Sequence, residues 1–343
     1  MQFKGDEKFV DYTGALINGL RNGKGVLSFK DGRKIYEGEF MNDKFEGTGK
    51  YYYSDGNYYI GEFKDGLKHG KGIEYYENGN IIYEGDFAYN KKEGYGKGNN
   101  VDGCYYIGQW KSNVFYGKGI LYNNDGKIIY EGDFFNGKFE GNGKYYYESG
   151  DQYIGQWKNS ERNGKGILYY KDGRTIYEGE FINDKFEGNG KFYYPNGDYY
   201  IGQFKNCLKH GTGTEYNQNG NIIYTGGFIN DKRDGFGKYF NFDGQYYIGQ
   251  WSNDSVNGKG IRYAQNGRII YEGDFINGKF EGKGKVYGED GEYYIGEFKN
   301  SLRHGKGIIY YSNGKVKYDG EFYNNNPVNN SQIENNLVFL KIV

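Results

Sequence analysis

A five-residue string, Tyr-x-Gly-x-aromatic, recurs along almost the whole chain and constrains its fold more than any other feature. Successive starts are separated by 24 and 23 residues in strict alternation, and Gly-x-Gly follows eleven residues after every start except the last. Because regular internal repetition is typical of repeat proteins, we predict an array of small similar units. The fourteen starts are Tyr12, Tyr36, Tyr59, Tyr83, Tyr106, Tyr130, Tyr153, Tyr177, Tyr200, Tyr224, Tyr247, Tyr271, Tyr294 and Tyr318.

Each repeat has the pattern of two short strands. Tyr, Gly and the aromatic residue fall at every second position, which places them on one face of a strand. Gly-x-Gly opens a second strand, as in residues 70–76. A glycine preceded by Asp, Asn or Ser follows that strand, for example Gly56 and Gly79. Asp-Gly and Asn-Gly favour type I′ turns, in which both central residues have positive φ. We therefore predict a β-hairpin in each repeat, with such turns at these glycines.

The alternation of spacing shows that the true period is a pair of repeats, 47 residues long. Gly79 precedes the next start, Tyr83, by four residues, whereas Gly56 precedes Tyr59 by three. One member of the pair reads Tyr-Ile-Gly-Gln/Glu-Phe/Trp and the other reads Tyr-Glu-Gly-Asp/Glu-Phe. One added residue turns every following side chain to the other face unless a β-bulge absorbs it. We therefore predict bulges in the longer repeats.

The composition supports an all-β fold. Glycine supplies 61 residues, proline only 2, and aromatic residues make up 20% of the chain. Disordered chains are poor in aromatics, and collagen requires proline together with glycine at every third position. We predict one elongated, twisted antiparallel sheet of tandem hairpins without a separate globular domain. Its predicted parts are an N-terminal cap at 1–11, fourteen repeats at 12–322 and a C-terminal tail or cap at 323–343.

The repeat resembles a known family. The string YIGQWKN at 153–159, followed by GKG at 164–166, is similar to the MORN (membrane occupation and recognition nexus) repeat, and the resemblance covers residues 12–322. It implies a row of antiparallel hairpins in one sheet, with a partner-binding groove in some members. It also implies a role in cytoskeletal, ciliary, junctional or membrane-contact assemblies. The first repeat has Leu16 in place of the aromatic and the last lacks Gly-x-Gly, so both ends are predicted to be caps.

The charge balance argues against nucleic acid as a partner. The 44 basic and 45 acidic residues give a net charge of −1, whereas nucleic-acid binders need a basic surplus that displaces counterions. Balanced charge also provides no long-range attraction to anionic lipid, so membrane lipid is the less favoured partner. Two cysteines, no signal-like apolar N-terminus and no run approaching 18 apolar residues favour an intracellular location, in cytoplasm, cytoskeleton or cilium.

No residue pattern indicates catalysis, a cofactor or a metal. His69, His210 and His304 occupy the same repeat position and are separated by multiples of 47 residues, so they are predicted not to meet. Cys104 and Cys207 lie at different repeat positions and are interpreted as structural thiols. The glycine-rich stretch 94–98 lacks the strand–turn–helix context of a phosphate-binding loop. The following 98–100, Gly-Asn-Asn, is predicted to be a weakened strand and a bend in the array.

The two strand faces differ in chemistry. The Tyr and Phe/Trp residues, with Trp110, Trp157 and Trp251 in one slot, are predicted to form the core stripe. The opposite face is predicted to contact partner proteins; the alternative is that the twist of the sheet closes the groove and the isoleucines are internal packing. The apolar C-terminal run 337–343 is also a predicted contact. That run has two interpretations, a cover for the last hairpin or a self-association segment. The predicted partner-facing residues are Ile60, Ile107, Ile154, Ile201, Ile248, Ile295, Tyr58, Tyr105, Tyr199, Tyr246, Tyr293, Leu337, Phe339 and Leu340.

These observations predict a non-enzymatic structural scaffold or adaptor in a cytoskeletal or ciliary (axonemal) assembly. Its partners are expected to be other proteins of that assembly, bound through one sheet face and the C-terminal end. A membrane-associated phospholipid-binding or tethering module is the first alternative. A regulatory subunit of an enzyme complex is the second, because MORN arrays occur fused to catalytic domains.

Overall fold

The structure is a computed structural model that describes residues 10–328, which contain 28 β-strands and no helix. All of these strands belong to one antiparallel sheet. Two compact units divide the chain: residues 1–174 with 182–184, and residues 175–181 with 185–343. The predicted all-β class and tandem hairpins are therefore confirmed. The N-terminal nine residues and 329–343, which include Leu337, Phe339 and Leu340, lie outside the described residues.

The strands follow one another along the chain. The first fourteen are β1 Val10–Ile17, β2 Leu20–Phe29, β3 Lys34–Met41, β4 Lys44–Tyr52, β5 Tyr58–Lys64, β6 Leu67–Tyr75, β7 Ile81–Ala88, β8 Lys91–Asn99, β9 Tyr105–Lys111, β10 Val114–Tyr122, β11 Ile128–Phe135, β12 Lys138–Tyr146, β13 Gln152–Lys158 and β14 Glu161–Tyr169. The others are β15 Thr175–Ile182, β16 Lys185–Tyr193, β17 Tyr199–Lys205, β18 Leu208–Tyr216, β19 Ile222–Ile229, β20 Lys232–Phe240, β21 Tyr246–Ser252, β22 Ser255–Tyr263, β23 Ile269–Ile276, β24 Lys279–Tyr287, β25 Tyr293–Lys299, β26 Leu302–Tyr310, β27 Val316–Tyr323 and β28 Asn326–Pro327. Within each unit, neighbours in chain order pair antiparallel, as β5 with β6 and β17 with β18.

The tight turns lie elsewhere than predicted. The tight turn of each hairpin lies between the Tyr-x-Gly-x-aromatic strand and the Gly-x-Gly strand. Between β3 and β4 it consists of Asn42 and Asp43, whose φ values of 49° and 68° are both positive. These are the two-residue turns that match the twist of paired strands. At Gly56 only the glycine has positive φ, and its N–H donates to Tyr53 O at 3.2 Å. The predicted type I′ turns at the glycines that follow the Gly-x-Gly strand, such as Gly56 and Gly79, are therefore wrong. Those sites form longer loops between hairpins, and in each loop the glycine alone has positive φ.

The predicted bulges are confirmed. After the longer repeat that begins at Tyr59, Glu74 pairs with Tyr83 but the next residue, Tyr75, pairs with Ile81, so the register shifts by one residue. Five other longer repeats, those that begin at Tyr12, Tyr106, Tyr200, Tyr247 and Tyr294, show the same shift. The shorter repeats join the next strand without any shift, as between β4 and β5. The bulge therefore keeps equivalent side chains on one face throughout each unit.

The motif glycines leave room for a tyrosine ring that lies flat on their backbone. Gly61 and Gly72 face each other on β5 and β6, and the ring of Tyr59 covers both. A Cβ atom on Gly72 would lie 2.2 Å from the Tyr59 hydroxyl oxygen, a distance that no side chain tolerates. The Tyr59 hydroxyl donates to Glu62 O at 3.0 Å, so its polar end is satisfied. This geometry recurs in almost every repeat and explains why glycine stands two and thirteen positions after every start tyrosine except the last.

The tyrosines of the core stripe are buried by side chains of the same sheet. A residue nine positions after each tyrosine covers the ring: Phe45 stacks on Tyr36 with ring centroids 4.0 Å apart, whereas Arg162 lies over Tyr153 at 5.7 Å. For Tyr36, edge-to-face contacts with Phe40 of the same motif and Phe63 of the next repeat complete the cover. Tyr36 and Tyr153 are 0% exposed as a result, and burial raises their pKa. The predicted core stripe is confirmed by this burial.

The predicted weakened strand at 98–100 is wrong, and the predicted bend there stays a prediction. β8 runs to Asn99 and pairs with β9 without a register shift, with Gly98 opposite Tyr106. A Cβ on Gly98 would lie 2.6 Å from the indole of Trp110, so this glycine makes room for the larger ring. The indole N–H of Trp110 donates to Gly96 O at 3.1 Å. The glycine is therefore a packing adaptation and not an interruption.

Candidate partner-binding face

The predicted isoleucines lie on the face opposite the buried tyrosines, in a line across the strands that we call the isoleucine row. Ile60 faces Ile73 across the β5–β6 pair, and its side chain is 42% exposed, as are those of Ile201 and Ile295. Four of the other predicted isoleucines are also paired with a second isoleucine: Ile107 with Ile120, Ile154 with Ile167, Ile248 with Ile261 and Ile295 with Ile308. The row therefore presents apolar pairs to solvent.

Charged pairs separate the isoleucine pairs. Glu37 faces Lys50, and Lys50 in turn faces Ile60, so the row reads Glu, Lys, Ile, Ile over four strands. The same order recurs at Glu84, Lys97, Ile107 and Ile120, and again from Glu131 to Ile167. With strands about 4.8 Å apart, successive isoleucine pairs in a unit are roughly 19 Å apart.

The predicted tyrosines form a second line beside the isoleucine row. Tyr58 stacks on Tyr75 with ring centroids 4.7 Å apart and planes at 17°. The Nζ atom of Lys50 lies 4.0 Å from the Tyr58 ring centroid, a cation–π contact. The same stacking holds for Tyr105, Tyr199, Tyr246 and Tyr293 with Tyr122, Tyr216, Tyr263 and Tyr310. These tyrosines are half-buried, so they combine mutual packing with an accessible ring edge.

A groove runs between the isoleucine row and a third, polar row. Its floor is the row of facing glycines, which have no side chains on this face. In the polar row Lys71 pairs with Asp86 and Lys118 pairs with Asp133. Within the second unit one open stretch of this groove has a volume of about 720 Å³, with Ile248, Ile261 and Ile295 on its walls and Gly249, Gly260, Gly273 and Gly284 on its floor. The shape suits an extended or helical segment that crosses the strands.

Comparison with known families identifies the repeat. Thirteen copies of the MORN repeat match at residues 12–32, 36–58, 59–81, 83–97, 106–128, 130–152, 153–173, 177–199, 200–222, 224–246, 247–267, 271–293 and 294–316. The chain belongs to the MORN repeat family. The fourteenth unit, which begins at Tyr318 and lacks Gly-x-Gly, is not among the matched copies. A MORN array is a repeat scaffold, and MORN proteins mediate protein or membrane interactions.

Solved structures that this MORN chain resembles include a Bacteroides caccae protein of unknown function, 12% identical, with 74% of this chain and 90% of that chain covered and a TM-score of 0.15. Another is a point mutant of the TCP10 domain of Danio rerio CPAP, 13% identical, with 90% and 100% covered and a TM-score of 0.17. No curated protein matches the chain. Residues 10–328 contain no helix that is long and apolar enough to cross a membrane.

In one stretch of the MORN groove, uncharged residues stand where the other repeats have acidic side chains. The sequence analysis did not detect this difference. In the second unit Thr214 and Thr225 face each other, with hydroxyl oxygens 2.9 Å apart, where other repeats have Ile and Glu. Gly227 replaces the usual acid, and Phe236, 67% exposed, occupies the position that Tyr95 has in the first unit. The positions 141 residues earlier are Ile73, Glu84, Asp86 and Tyr95. That 141-residue correspondence, three 47-residue periods, was the signal that could have revealed this divergence.

The tyrosine face holds two charged clusters that sequence reasoning also missed. In the first unit the Glu74 carboxylate pairs with Lys68 and Lys92. In the second unit Glu215 pairs with Lys209 and Arg233. Glu74 and Glu215 are again 141 positions apart, and both stand where most repeats have an apolar or aromatic side chain. Each cluster caps neighbouring tyrosine rings through cation–π contacts.

The three histidines lie on three different strands, and the two cysteines belong to different units. Within the second unit His210 lies on β18 and His304 on β26, and His69 belongs to β6 of the first unit. The buried Nδ1 atoms of His210 and His304 have no hydrogen-bond partner among residues 10–328. In that same part of the chain, no group of three or more His, Cys, Asp or Glu side chains could hold a metal ion.

Proposed function

We propose that this MORN protein is a non-enzymatic scaffold that binds partner proteins along its groove, within a cytoskeletal or ciliary assembly. The observation that supports this function is the isoleucine row, where pairs such as Ile60 and Ile73 stay exposed beside stacked tyrosines and a glycine floor. Exposed apolar groups at regular spacing are typical of interaction surfaces. The choice of assembly follows the family resemblance.

The groove chemistry favours an amphipathic partner helix that lies across the strands. Its apolar side chains would contact the isoleucine pairs, and its charged side chains would meet the Glu–Lys pairs between them. Because a helix rises 1.5 Å per residue, the roughly 19 Å between isoleucine pairs corresponds to about 13 residues of partner helix. A partner of this kind buries apolar area at several points, so affinity accumulates along the array.

Replacing Ile60 and Ile154 by lysine should reduce partner capture from the native cell by about tenfold or more, since charge at an apolar contact costs most of its binding energy. Both side chains are more than 40% exposed, so the variant should fold. The matched control is Phe242→Lys, which changes a fully exposed aromatic residue in a loop outside the groove. Equal capture by the double variant and the wild type, with unchanged circular dichroism, would contradict the proposed site.

Phospholipid binding is the alternative that the charges disfavour. Lys50, Lys97 and Lys144 of the isoleucine row each face a glutamate, so their charge is neutralised locally. Sedimentation with phosphoinositide vesicles at physiological salt separates the two functions, because a protein-binding groove predicts no enrichment in the pellet. A regulatory subunit of an enzyme would bind through the same groove, and an enzyme among the captured partners would identify that role.

We also propose self-association through the C-terminal run 337–343. On one side β27 pairs with β26, and on the other it pairs with only the two residues of β28 among residues 10–328. An open strand edge accepts a further strand. Deletion of 337–343 is expected to convert a dimer to a monomer in light scattering at micromolar concentration. An unchanged mass would show that this run does not join two copies.

A further inference from the structure

The tyrosine face of the first unit contains a cavity of about 150 Å³ beside Gly66, which we call the Gly66 cavity. It lies among three successive hairpins, on the side of their tight turns. Its walls are mostly aromatic, and Lys68 and Asn90 add polar groups. The lining residues are Phe45, Tyr51, Tyr53, Phe63, Gly66, Lys68 and Asn90.

The cavity lies where Gly66 replaces the serine or cysteine of equivalent turns. Four hairpins place phenylalanine nine residues after the tyrosine of a shorter repeat, next to the turn of the following hairpin. In three of them a turn side chain accepts a hydrogen bond from the phenylalanine N–H: Ser160 for Phe139 at 3.1 Å, Cys207 for Phe186 at 3.3 Å and Ser301 for Phe280 at 3.0 Å. In the fourth, Gly66 donates its own N–H to Phe45 O at 2.9 Å but provides no acceptor for Phe45 N–H.

Both polar groups of Lys68, which also lines the Gly66 cavity, already have partners. The Lys68 ammonium donates to the Tyr53 hydroxyl at 2.8 Å and pairs with Glu74. The Lys68 backbone N–H donates to Asn90 Oδ1 at 2.8 Å. Phe45 N–H is therefore the group for which this hairpin offers no side-chain acceptor. A buried N–H without an acceptor is unfavourable, so a ligand that supplies one gains from it.

We propose that the Gly66 cavity binds a single aromatic ring that carries a hydrogen-bond acceptor. An apolar cavity of about this volume holds benzene, which sets the ring size. The ring centroid of Phe45 lies 6.0 Å from that of Tyr51 and 5.8 Å from that of Phe63, so a bound ring would make edge and face contacts with this aromatic wall. The acceptor atom takes the place of the serine hydroxyl of the equivalent turns. The ring is either a free small molecule or a partner's aromatic side chain.

Benzamide and a capped tetrapeptide with one phenylalanine are the probes, titrated against the full chain with amide NMR shifts as the readout. Saturable shifts confined to residues around 45–66 are expected. Gly66→Ser should weaken binding by about tenfold or more, because the serine fills the cavity and caps Phe45 N–H. The backbone accepts serine there, since Ser160 and Ser301 occupy equivalent turns at φ of 69° and 65°. Benzamide binding alone indicates a small-molecule site, and peptide binding indicates a partner's side chain.

A gain-of-site variant makes the test independent of Gly66→Ser. Phe186, Phe192, Tyr194 and Phe204 reproduce the ring wall around Cys207, so Cys207→Gly should create a second site and raise the stoichiometry from one to two. Ser301→Gly is the control, because Val286 and Gly288 stand there in place of two rings and no site should appear. Absence of saturable binding of both probes to the wild type would overturn the proposal, as would binding that Gly66→Ser leaves unchanged.

Discussion

Gly72→Ala is expected to lower the free energy of unfolding by about 3 kcal/mol, the upper range for overpacking a buried site. The new methyl group would lie 2.2 Å from the Tyr59 hydroxyl oxygen, and Tyr59 is 0% exposed. The ring therefore has to leave its position over Gly61 and Gly72, and its hydrogen bond to Glu62 O is lost with it. Because hairpins contact only their neighbours, the loss should be local.

Amide hydrogen exchange resolved by strand measures this loss, and faster exchange is expected in β5–β7. The matched control is Gly79→Ala in a loop, where a Cβ meets nothing within 4 Å. Its φ of 86° is strained for alanine, so this variant should lose only about 1 kcal/mol. Equal losses in the two variants would mean that the Tyr59 ring moves aside at little cost, so that its position does not require the motif glycine.

Glu215→Gln is expected to destabilise the second unit by about 3 kcal/mol, because it leaves two cations without their shared anion. The side chains of Lys209, Glu215 and Arg233 are only 12%, 14% and 22% exposed. Arg233 Nη2 lies 2.7 Å from Glu215 Oε2. Chemical denaturation at pH 7 measures the loss, with Glu289→Gln as control. Glu289 is 96% exposed and pairs with Arg268 at 3.5 Å, so its replacement should have almost no effect.

The acid dependence of stability provides a second readout for the same cluster. Burial opposes ionisation of Glu215, but hydrogen bonds and the charges of Lys209 and Arg233 outweigh it and hold the pKa of Glu215 below its ordinary value of 4.5. A lowered folded-state pKa stabilises the fold above pH 4.5, and this contribution disappears as pH falls through the folded-state value. The wild type should therefore lose more stability than Glu215→Gln between pH 5 and 3. Parallel acid curves would contradict the cluster's role.

Sequence reasoning succeeded where spacing decides structure. The distances between tyrosines fix which residues face each other, so the hairpin array and the bulges of the longer repeats followed from counting. The core stripe followed from the period of two. The isoleucines on the opposite face also followed, because Ile60 and its counterparts stand one residue after a buried tyrosine.

The sequence predictions failed where a structural feature is formed by residues that do not usually form it. Turns such as Asn42–Asp43 have positive φ at both residues without any glycine. The type I′ turns were therefore predicted at the glycines that follow the Gly-x-Gly strands and not at these positions. Gly98 was misread because the indole of Trp110, twelve residues later, occupies the space only in the paired register. The stacking of Phe45 on Tyr36 and the clusters at Glu74 and Glu215 required side-chain positions that the repeat pattern does not encode.

Photo-crosslinking in the native cell tests the partner-binding groove most directly. A photoreactive phenylalanine derivative placed at Ile154 or Ile201 lies in the isoleucine row, whereas one at Phe242 lies in an exposed loop outside it. The groove predicts discrete crosslinked proteins from the first two positions and none from the third. Crosslinks from Phe242 with none from Ile154 or Ile201 would contradict the proposal that this MORN scaffold binds its partners through the groove.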